Sequence, residues 1–364
     1  MLSATQRRMS VVSFLGALFL TVVLGALLEV AALSANSGDE GSNPSGSRGS
    51  ANPSSRRDVL STGGSIVAGG LVCANYIFPC QEAAAADDTQ SLASVAVVGA
   101  SGRTGALCVA SCLKQGIPVR ALTRTGSWTP PEVFDDVAKK NQQLLTVTAC
   151  DVKDPDALLS GVSGCRSVIY AASASKKGGN PKEIDNNGVV AAGDACIKAK
   201  VGSYVVISST AVTRPKSLGY IFTDVSVNGI MGEKRKGEDG VKELYAHNDG
   251  SRSSSYVIIR PGGLEEPKNK NVLGPSTLEL SQGDAIAGIV SRADLAEVAV
   301  QAGLSNSPNL RNTAFEIYYT DSAQPCERRF KSLLTNGEVQ RVHGDTYEAL
   351  FQGMKPDGEY YIPA

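Results

Sequence analysis

The stretch from Val95 to Cys108, VAVVGASGRTGALC, constrains the fold more than any other part of the sequence. A short apolar run rich in β-branched residues predicts a strand over 94–98, and apolar residues at helical spacing predict a helix over 106–113. Three glycines with the spacing G-x-x-G-x-x-G lie between them, where a tight turn, close backbone approach and close helix packing are needed. The amides at the start of such a helix can bind a pyrophosphate. The positions assigned to a dinucleotide in this segment are Gly99, Ser101, Gly102, Arg103, Thr104 and Gly105.

The alternation of strand and helix patterns continues along the chain. Predicted strands cover 119–123, 144–149, 167–171 and 204–208, and a helix is predicted over 187–198. Because strands that alternate with helices favour crossover connections, the sequence predicts an α/β fold with a doubly wound parallel sheet of the Rossmann type.

Two arginines lie where an enzyme of this fold selects its dinucleotide. Arg124 follows the second predicted strand, where a carboxylate binds the ribose 2′-hydroxyl in NAD enzymes, and Arg103 lies inside the glycine turn. Two guanidinium groups there can pair with a 2′-phosphate, which favours NADP(H) over NAD(H). For each arginine taken singly, a solvated surface charge is the other interpretation.

Positions after the third and fourth predicted strands complete the expected cofactor contacts. Asp151 either accepts a hydrogen bond from the adenine amino group or caps the helix of the following DPDALL segment. Ala171 and Ala172, together with Ser173, have small side chains that let the cofactor pass close to the backbone.

Six segments, GASGRTG, ACDV, VVISST, EKRKGE, YVIIRPGG and SRADLAEV, follow one another in a recognisable order and spacing. Together they resemble the atypical short-chain dehydrogenase/reductases, in particular the NAD(P)H-binding group that is similar to NmrA-like regulators and chloroplast NADP-binding proteins. The resemblance covers about residues 92–320. It implies a Rossmann sheet at the N-terminal side and a small C-terminal substrate lobe. We therefore expect an NAD(P)-binding Rossmann domain over 89–325 and a C-terminal extension over 326–364, either packed on the core or contacting a partner.

The resemblance also raises the question of catalysis. In reductases of this superfamily a Tyr transfers a proton, and a Lys four residues later lowers the Tyr pKa and holds the nicotinamide ribose. In NGIMGEKRKGE the Lys falls on Lys234, but the position four residues earlier is Ile230, which cannot transfer a proton. Three routes stay open: Lys234 acts as the acid, as in isoflavone-reductase-like relatives; Tyr220 reaches in from a loop; or the acceptor, a quinone or activated alkene, needs little proton assistance.

The same resemblance assigns further positions. Ser209 and Thr210, after the fifth predicted strand, are hydroxyls that can orient a substrate carbonyl. Pro261 and Gly262 match the family's turn beside the nicotinamide ribose, following a strand predicted over 256–259 that the proline ends. The predicted catalytic residues are thus Lys234, Thr210, Ser209 and Tyr220.

Charged residues near these positions have structural interpretations as well. If Lys234 is not functional, it is a helix-surface charge paired with Glu238 at i,i+4. Arg260 is expected in the same turn as Pro261. Arg292 and Asp294 are expected to form a capping and docking pair before a helix, without a catalytic role.

The sequence pattern of the first 88 residues predicts targeting signals. Residues 1–32 contain the apolar run Val11–Leu28 behind two arginines, which predicts a signal peptide or an uncleaved membrane anchor. Residues 33–88 begin with a Ser-, Gly- and Pro-rich segment expected to be disordered, followed by a twin-arginine signal at Arg56 and Arg57. This series resembles the targeting of plastids bounded by extra membranes, with the thylakoid lumen or the thylakoid membrane as destination and a stromal transit peptide as the alternative.

Composition excludes several classes of function. The net charge is −1 and the basic residues are scattered, so nucleic acid is not an expected partner. The eight cysteines form no C-x-x-C pair and the chain has two histidines, so no metal site is expected. Cys108 and Cys112 would share a helix face, and we interpret them as core packing residues.

The sequence therefore predicts a plastid NADP(H)-binding Rossmann protein that acts as an atypical reductase of a small hydrophobic substrate, such as a quinone, pigment or isoprenoid derivative. That reaction follows from the resemblance and the compartment. The competing hypothesis is a non-catalytic NADP(H) sensor or an assembly or scaffold factor, which Ile230 favours.

Overall fold

The structure, a computed structural model, describes residues 94–131, 135–247, 254–266 and 272–363. The chain divides into two units, Met1–Gln81 and Glu82–Ala364. The first unit and the predicted signal sequences lie outside the described residues. Among the described helices, none has the length and apolar character that crossing a bilayer requires.

A nine-stranded sheet forms the centre of the second unit. Its strands, in chain order and with four short strands of two smaller sheets included, are β1 Val95–Val98, β2 Val119–Thr123, β3 Leu145–Ala149, β4 Ser167–Tyr170, β5 Ser203–Ile207, β6 Ser255–Pro261, β7 Gly263–Glu265, β8 Leu278–Ser281, β9 Ile286–Ala287, β10 Ile289–Ser291, β11 Thr313–Tyr319, β12 Gln324–Pro325 and β13 Arg341–Val342. The order across the large sheet is β13-β8-β11-β6-β5-β4-β1-β2-β3. Strands β1 to β6 and β11 pair in parallel, whereas β8 and β13 are antiparallel additions at one edge.

Helices cover both faces of this sheet. They are α1 Arg103–Lys114, α2 Asp135–Lys140, α3 Pro155–Val162, α4 Gly188–Lys198, α5 Leu218–Ser226, α6 Ile230–Ala246, α7 Arg292–Leu304, α8 Lys331–Thr335 and α9 Tyr347–Gln352, and a π-helix, Lys182–Asn187, leads into α4. Successive strand residues point to opposite faces, so Val95 and Val97 join the core with α1 and α7, while Ala96 and Val98 join the core with α3, α4 and α6. The predicted doubly wound Rossmann fold is confirmed.

Most predicted boundaries agree with the structure to within a residue. Strand β2 has the predicted bounds, and the helix predicted from 187 begins one residue later, after the π-helix. The strand predicted over 256–259 is longer than predicted, although it does end at the proline, as expected. Strand β6 includes both Arg260 and Pro261, and Pro261 pairs with Ile317 of β11.

The C-terminal part of the chain adds a small lobe and closes one core. Strand β7 pairs with β10, and β9 pairs with β12, in two-stranded sheets beside a minor core that contains Phe330. The core shared by α1 and α7 also includes three residues near the C-terminus, Leu350, Phe351 and Met354. The division at 325 stays a prediction. The described core clusters give this unit an apolar core of its own, which independent folding requires.

Candidate functional site

The functional site of an open parallel sheet is expected where the strand order reverses, outside the carboxyl ends of the strands. In this sheet β1 lies between β2 and β4, and β4 leads on to β5 and β6. The crevice between the ends of β1 and β4 is therefore the position that the topology provides for a dinucleotide.

The glycine turn packs tightly against the loop that follows β4. Gly99 has a left-handed φ of +77°, and a Cβ atom on it would lie 2.6 Å from the Cα and N atoms of Ala172. A Cβ atom on Gly105 would lie 2.3 Å from the carbonyl oxygen of Gly99, and Gly102 donates its N–H to that oxygen at 2.9 Å. Gly99 is thus required by its contact with the loop after β4 and Gly105 by a contact within the turn, and a Cβ atom on Gly102 would lie 3.1 Å from the Gly99 carbonyl oxygen.

The start of α1 suits an anion. Gly102 is the N-cap and provides no side-chain cap, and the first turn of α1, which the structure describes completely, contains no acidic residue. Ser101 and Arg103 are exposed and Thr104 is half-buried. Because helix N-terminal amides carry partial positive charge, this end fits the pyrophosphate of a dinucleotide.

The two arginines of the NADP(H) prediction differ in their surroundings. The Arg103 guanidinium lies 3.1 Å from Glu266 Oε1, with both side chains more than half exposed. Arg124, after β2, is exposed and makes no hydrogen bond or ion pair within the part of the chain that the structure describes. Both groups are therefore accessible to a phosphate, although Arg103 must first leave Glu266.

Arg292 and Asp294 connect α7 to its neighbours. Arg292 lies 2.8 Å from the same Glu266 oxygen that Arg103 contacts, and Asp294 accepts hydrogen bonds from Ser291 and Tyr319. Ser291 is the N-cap of α7. The predicted capping and docking interpretation agrees with these contacts.

The predicted capping alternative for Asp151 is wrong. Asp154 is the N-cap of α3 and accepts from the amides of Asp156 and Ala157. Asp151 instead lies half-buried at the end of β3, where Oδ1 accepts the Lys153 N–H at 3.0 Å. Its second oxygen keeps the capacity to accept the adenine amino group.

Lys234 is a charged residue of α6 that contacts the π-helix before α4. Its Nζ atom lies 2.9 Å from Asp185 Oδ1, and its side chain is only 12 % exposed. The predicted surface pair between Lys234 and Glu238 was wrong, because Glu238 is buried and contacts Arg260 instead. Lys234 is therefore a nearly buried cation with one defined partner.

Asp185 is the functional candidate that the sequence interpretation missed. Its side chain is completely buried, Oδ1 also accepts the Ser173 hydroxyl at 2.6 Å, and Oδ2 accepts the Ala174 N–H at 2.9 Å. Asp185 lies in the π-helix before α4, a backbone form that is frequent at functional sites. A Cβ atom on Gly237 would lie 2.3 Å from the Asp185 carbonyl oxygen, so α6 approaches this turn closely. Through the Asp185 carboxylate, the loop after β4 is thus connected to Lys234 on α6.

Ile230 replaces the family tyrosine in a packed apolar environment. It is 4 % exposed and forms a cluster with Ala174, Val212 and Met231. Ile230 and Lys234 lie four residues apart on one face of α6, so the cluster forms an apolar wall beside the Lys234 ammonium group.

Tyr220 lies on helix α5, not in the loop that the sequence analysis assumed. A Cβ atom on Gly232 would lie 3.5 Å from its hydroxyl, which places Tyr220 beside the face of α6 that holds Gly232 and Lys236. Tyr220 also packs against the apolar cluster that contains Ile230. Burial, and then the Asp224 charge, raise the pKa of Tyr220.

The two predicted hydroxyls follow β5 in a firmly held loop. The Ser209 hydroxyl donates to the Thr210 carbonyl, and Thr210, which is buried, donates its N–H to the Pro261 carbonyl. Ala211 has a left-handed φ of +64°, and its N–H donates to buried Asp284, which also accepts from the N–H and hydroxyl of Thr213. This carboxylate fixes a strained backbone beside the hydroxyls.

Arg260 lies in a buried charge cluster, which corrects its predicted place in a turn. It is 3 % exposed and contacts Glu238 on α6 and Glu316 on β11. Burial raises the pKa of Glu316 to about 8 despite Arg260. Burial is the largest single influence on Glu238 and opposes its ionisation. The charge and hydrogen bond of Arg260, together with the Ser208 hydrogen bond and the Lys242 charge, outweigh burial and lower the pKa of Glu238.

Gly262 is required by packing between strands. A Cβ atom there would lie 2.1 Å from the Gly288 carbonyl oxygen. Pro261 is buried and Gly262 is half-buried at the end of β6, so both stay next to the crevice. Their predicted contact with the nicotinamide ribose stays a prediction.

The core cysteines have no reactive character. Cys108 and Cys112 are fully buried, and burial raises the pKa of Cys108 to about 12. Their interpretation as packing residues is confirmed. In the described residues, no group of three or more His, Cys, Asp and Glu side chains is placed to hold a metal ion.

Comparison with known proteins identifies chloroplast relatives of this chain. An uncharacterized chloroplast protein of Arabidopsis thaliana is 27 % identical over 265 residues, which cover 70 % of this chain and 86 % of the relative. Protein TIC 62 of Arabidopsis thaliana, also chloroplastic, is 26 % identical over 233 residues, covering 59 % of this chain and 34 % of TIC 62. The match thus spans about a third of TIC 62.

Among solved structures, the oxidoreductase ylbE from Lactococcus lactis aligns with a TM-score of 0.49 and 18 % identity, covering 66 % of this chain and 97 % of ylbE.

The family comparison matches residues 99–305, more than half of the chain, to the family described as NAD(P)H-binding. The segment contains the glycine turn, Lys234 and the ends of β1 to β6. The resemblance inferred from the motifs is confirmed, and the prediction of NADP(H) is confirmed at the level of the family. The chain belongs to the NAD(P)H-binding family.

Proposed function

We propose that this chain is a plastid NADP(H)-dependent reductase of a small hydrophobic substrate, such as a quinone, pigment or isoprenoid derivative. The observation that carries the proposal is the arrangement of Lys234, Asp185 and Ser173 at the carboxyl edge of the sheet, where one nearly buried ammonium group has a fixed position.

Binding of NADP(H) would use the predicted residues along the crevice. The N-terminal amides of α1 face the pyrophosphate, and Arg103 and Arg124 bind the 2′-phosphate. Asp151 accepts the adenine amino group. The nicotinamide half is bordered by the backbone of Ala171, Ala172, Pro261 and Gly262, because these residues lie at the carboxyl ends of β4 and β6.

When bound, NADPH supplies a hydride to an electrophilic carbon of the substrate. Lys234 Nζ donates the proton that the substrate oxygen requires, and the Asp185 carboxylate holds that ammonium group in place. The Ser209 and Thr210 hydroxyls orient the oxygen. Because Ile230 has no acidic proton, we assign this step to Lys234, which has a fixed position beside Asp185.

An apolar substrate agrees with the surroundings of Lys234. Ile230, Met231, Val212 and Ala174 form the cluster beside it, and all four are buried. Because these side chains are at most 5 % exposed, they give the surroundings of the Lys234 ammonium group an aliphatic character, which favours a flat hydrophobic molecule over a charged one.

Steady-state oxidation of NADPH by a panel of quinones and activated alkenes tests the proposal. Lys234→Ala should lower kcat by at least about a hundredfold, the range typical of a lost general acid. Lys236→Ala is the matched control, because Lys236 lies on another face of α6 and pairs with Glu233. Asp185→Asn, which keeps the side-chain shape, should lower kcat more than it weakens NADPH binding. Equal activity of the Lys234→Ala and Lys236→Ala proteins would refute the assignment.

A non-catalytic NADP(H) sensor or an assembly or scaffold factor is the second candidate. The observation that favours it is Ile230, which is packed into the core at the position of the proton-transferring tyrosine. On this hypothesis NADPH binds but is not oxidised by any acceptor, and the bound cofactor changes the affinity for a partner protein. The same panel distinguishes the two functions, since only a reductase consumes NADPH.

Plastid location is supported by the chloroplast relatives and by the N-terminal targeting pattern. Within the plastid we propose the thylakoid lumen or the thylakoid membrane, with the stroma as the alternative because NADPH is charged and does not cross membranes unaided. Isolated thylakoids treated with protease provide the test. Protection of the chain supports the lumen, and digestion supports a surface that faces the stroma.

A further inference from the structure

One carboxylate holds two guanidinium groups beside the glycine turn. Glu266 Oε1 lies 3.1 Å from Nη1 of Arg103 on α1 and 2.8 Å from Nη1 of Arg292 on α7. Because both nitrogen atoms contact the same oxygen, they lie within about 6 Å of each other. Two positive charges repel at this distance, so the pair of arginines favours an anion between them.

Paired strands place Glu266 and Arg292 side by side. Strand β7 pairs in parallel with β10, and Glu265 is the partner of Ser291. Glu266 and Arg292 are the residues that follow, and Arg292 Nη1 also donates to the Leu264 carbonyl oxygen at 3.3 Å. The backbone of two elements thus positions the Arg292 guanidinium before any ligand binds, which lowers the entropic cost of using it in binding.

Arg292 is buried and has donors that the fold does not use. Its side chain is 9 % exposed, and Nη1 is the atom that contacts Leu264 and Glu266. Within the described residues, Nε and Nη2 of Arg292 have no hydrogen-bond partner. Burial, and then the charge of Arg103, lower the pKa of Arg292, and the opposing effect of Glu266 does not compensate for them. A buried cation in these surroundings is stabilised by an anion that supplies more charge and more acceptors.

The nearby carboxylates leave the two arginines available. The Glu266 side chain is 63 % exposed, and water weakens the ion pairs of an exposed carboxylate. Asp294, in the first turn of α7, accepts hydrogen bonds from the hydroxyls of Ser291 and Tyr319 and from the Gly274 N–H. Glu266 can therefore be displaced by another anion, and Asp294 is engaged in contacts of its own.

We propose that Arg292 is a third phosphate-binding arginine, which binds the 2′-phosphate of NADP(H) together with Arg103 at the position of the Glu266 carboxylate. This inference rests on the proposed binding of NADP(H), in which Arg103 and Arg124 contact that phosphate. A phosphate group carries up to two negative charges and three acceptor oxygens, and it pairs with guanidinium groups in bidentate geometry. Glu266 supplies one oxygen atom to both arginines, where the phosphate supplies three. The pyrophosphate of the same cofactor has the same chemistry, and the test separates the two.

Calorimetric titration of the full chain with NADPH, NADH and adenosine 2′,5′-bisphosphate tests the proposal. Arg292→Gln should raise Kd for NADPH and for the bisphosphate at least about tenfold, and Kd for NADH less than about twofold. Arg166→Gln is the matched control, because it removes the same charge at the other end of α7, where Arg166 donates to the Leu304 carbonyl oxygen at 2.6 Å. This control should leave all three Kd values unchanged.

A role of Arg292 in docking alone predicts a different result. Arg292→Gln would then lower the free energy of unfolding, measured by chemical denaturation, and leave Kd for NADPH and NADH unchanged, which would overturn the proposal. An equal rise in Kd for NADPH and NADH would also overturn it, and would assign Arg292 to the pyrophosphate.

Arg292→Lys keeps the charge but not the planar set of donors, so its preference for NADPH over NADH should lie between those of the wild type and Arg292→Gln. If Arg292→Gln does not fold, this variant decides, and a preference equal to that of the wild type would overturn the proposal. Failure of the proposed reductase has a separate signature, tight NADPH binding without oxidation, which leaves the assignment of Arg292 intact. A wild-type chain that binds no NADPH would overturn both.

Discussion

Arg124→Ala should weaken the binding of NADPH far more than that of NADH. Arg124 is exposed after β2 and makes no hydrogen bond or ion pair in the described residues, so its removal breaks no contact of the folded protein. A charge-assisted hydrogen bond to a phosphate contributes roughly 1.5–3 kcal/mol, and solvent exposure places Arg124 at the lower end of that range. At about 1.4 kcal/mol per factor of ten, Kd for NADPH should rise about ten- to thirtyfold.

Arg103 should make a smaller net contribution than Arg124. Its guanidinium must leave Glu266, and an exposed ion pair of this kind is worth about 0.2–1 kcal/mol. Arg103→Ala should therefore raise Kd for NADPH by less than Arg124→Ala does. Glu266→Gln releases Arg103 and should lower Kd for NADPH by up to about fivefold.

Calorimetric titration of the unit Glu82–Ala364 with NADPH and with NADH measures these differences. Kd for NADH should change less than about twofold in all three variants, because NADH has no 2′-phosphate. The reasoning is refuted if the unmutated protein binds NADPH and NADH equally, or if Arg124→Ala weakens both by the same factor.

Three further predictions concern stability, measured by chemical denaturation. Gly105→Ala places a Cβ atom 2.3 Å from the Gly99 carbonyl oxygen and should cost about 3 kcal/mol, whereas Gly219→Ala, with open space around it, should stabilise by about 0.5–1 kcal/mol. Ala211→Gly should relieve the left-handed φ of +64° and raise the free energy of unfolding by about 1 kcal/mol; an unchanged value would show that the loop is not strained. The pKa of Glu316 rises on folding from 4.5 to about 8, so the folded protein retains a proton that the unfolded chain loses, and stability should fall as the pH increases between these values. Glu316→Gln should remove this part of the pH profile, and an unchanged slope would contradict the assignment.

Local patterns were sufficient to predict the centre of the fold. Each buried strand is a short apolar, β-branched run, and the glycine spacing after β1 depends on contacts only a few residues away, such as that between Gly99 and Gly105. The order of the central strands then follows from right-handed crossovers, which a sequence pattern can indicate. The antiparallel edge strand β13 has two residues, too few to produce a pattern.

Contacts between distant residues were not predictable in the same way. Arg260 was assigned to a turn because RPGG is a typical strand ending, yet its partners Glu238 and Glu316 lie 22 and 56 positions away. Lys234 was found through its motif, but Asp185 is one of two acids in a polar stretch whose π-helical turn has no sequence signature. A pairing across elements is set by the assembled sheet, which one sequence does not display.

The orientation of α5 illustrates the same limit. Its apolar residues have helical spacing, and such a pattern ordinarily predicts that the apolar side faces the core. The structure turns the polar side inward because Ser217 and Asp224 bond to neighbouring backbone amides. The spacing thus indicates the helix but not the direction that its apolar side faces.

One measurement tests the central claim, that this chain binds NADPH and uses Lys234 to reduce a hydrophobic acceptor. The unit Glu82–Ala364 is loaded with NADPH and mixed with a short-chain benzoquinone and other apolar acceptors, while nicotinamide absorbance follows a single turnover. We predict tight NADPH binding, rapid loss of the NADPH signal in the wild type, and a loss at least about a hundredfold slower in Lys234→Ala at similar NADPH occupancy. Tight binding of NADPH without oxidation by any acceptor would contradict the reductase and favour the sensor.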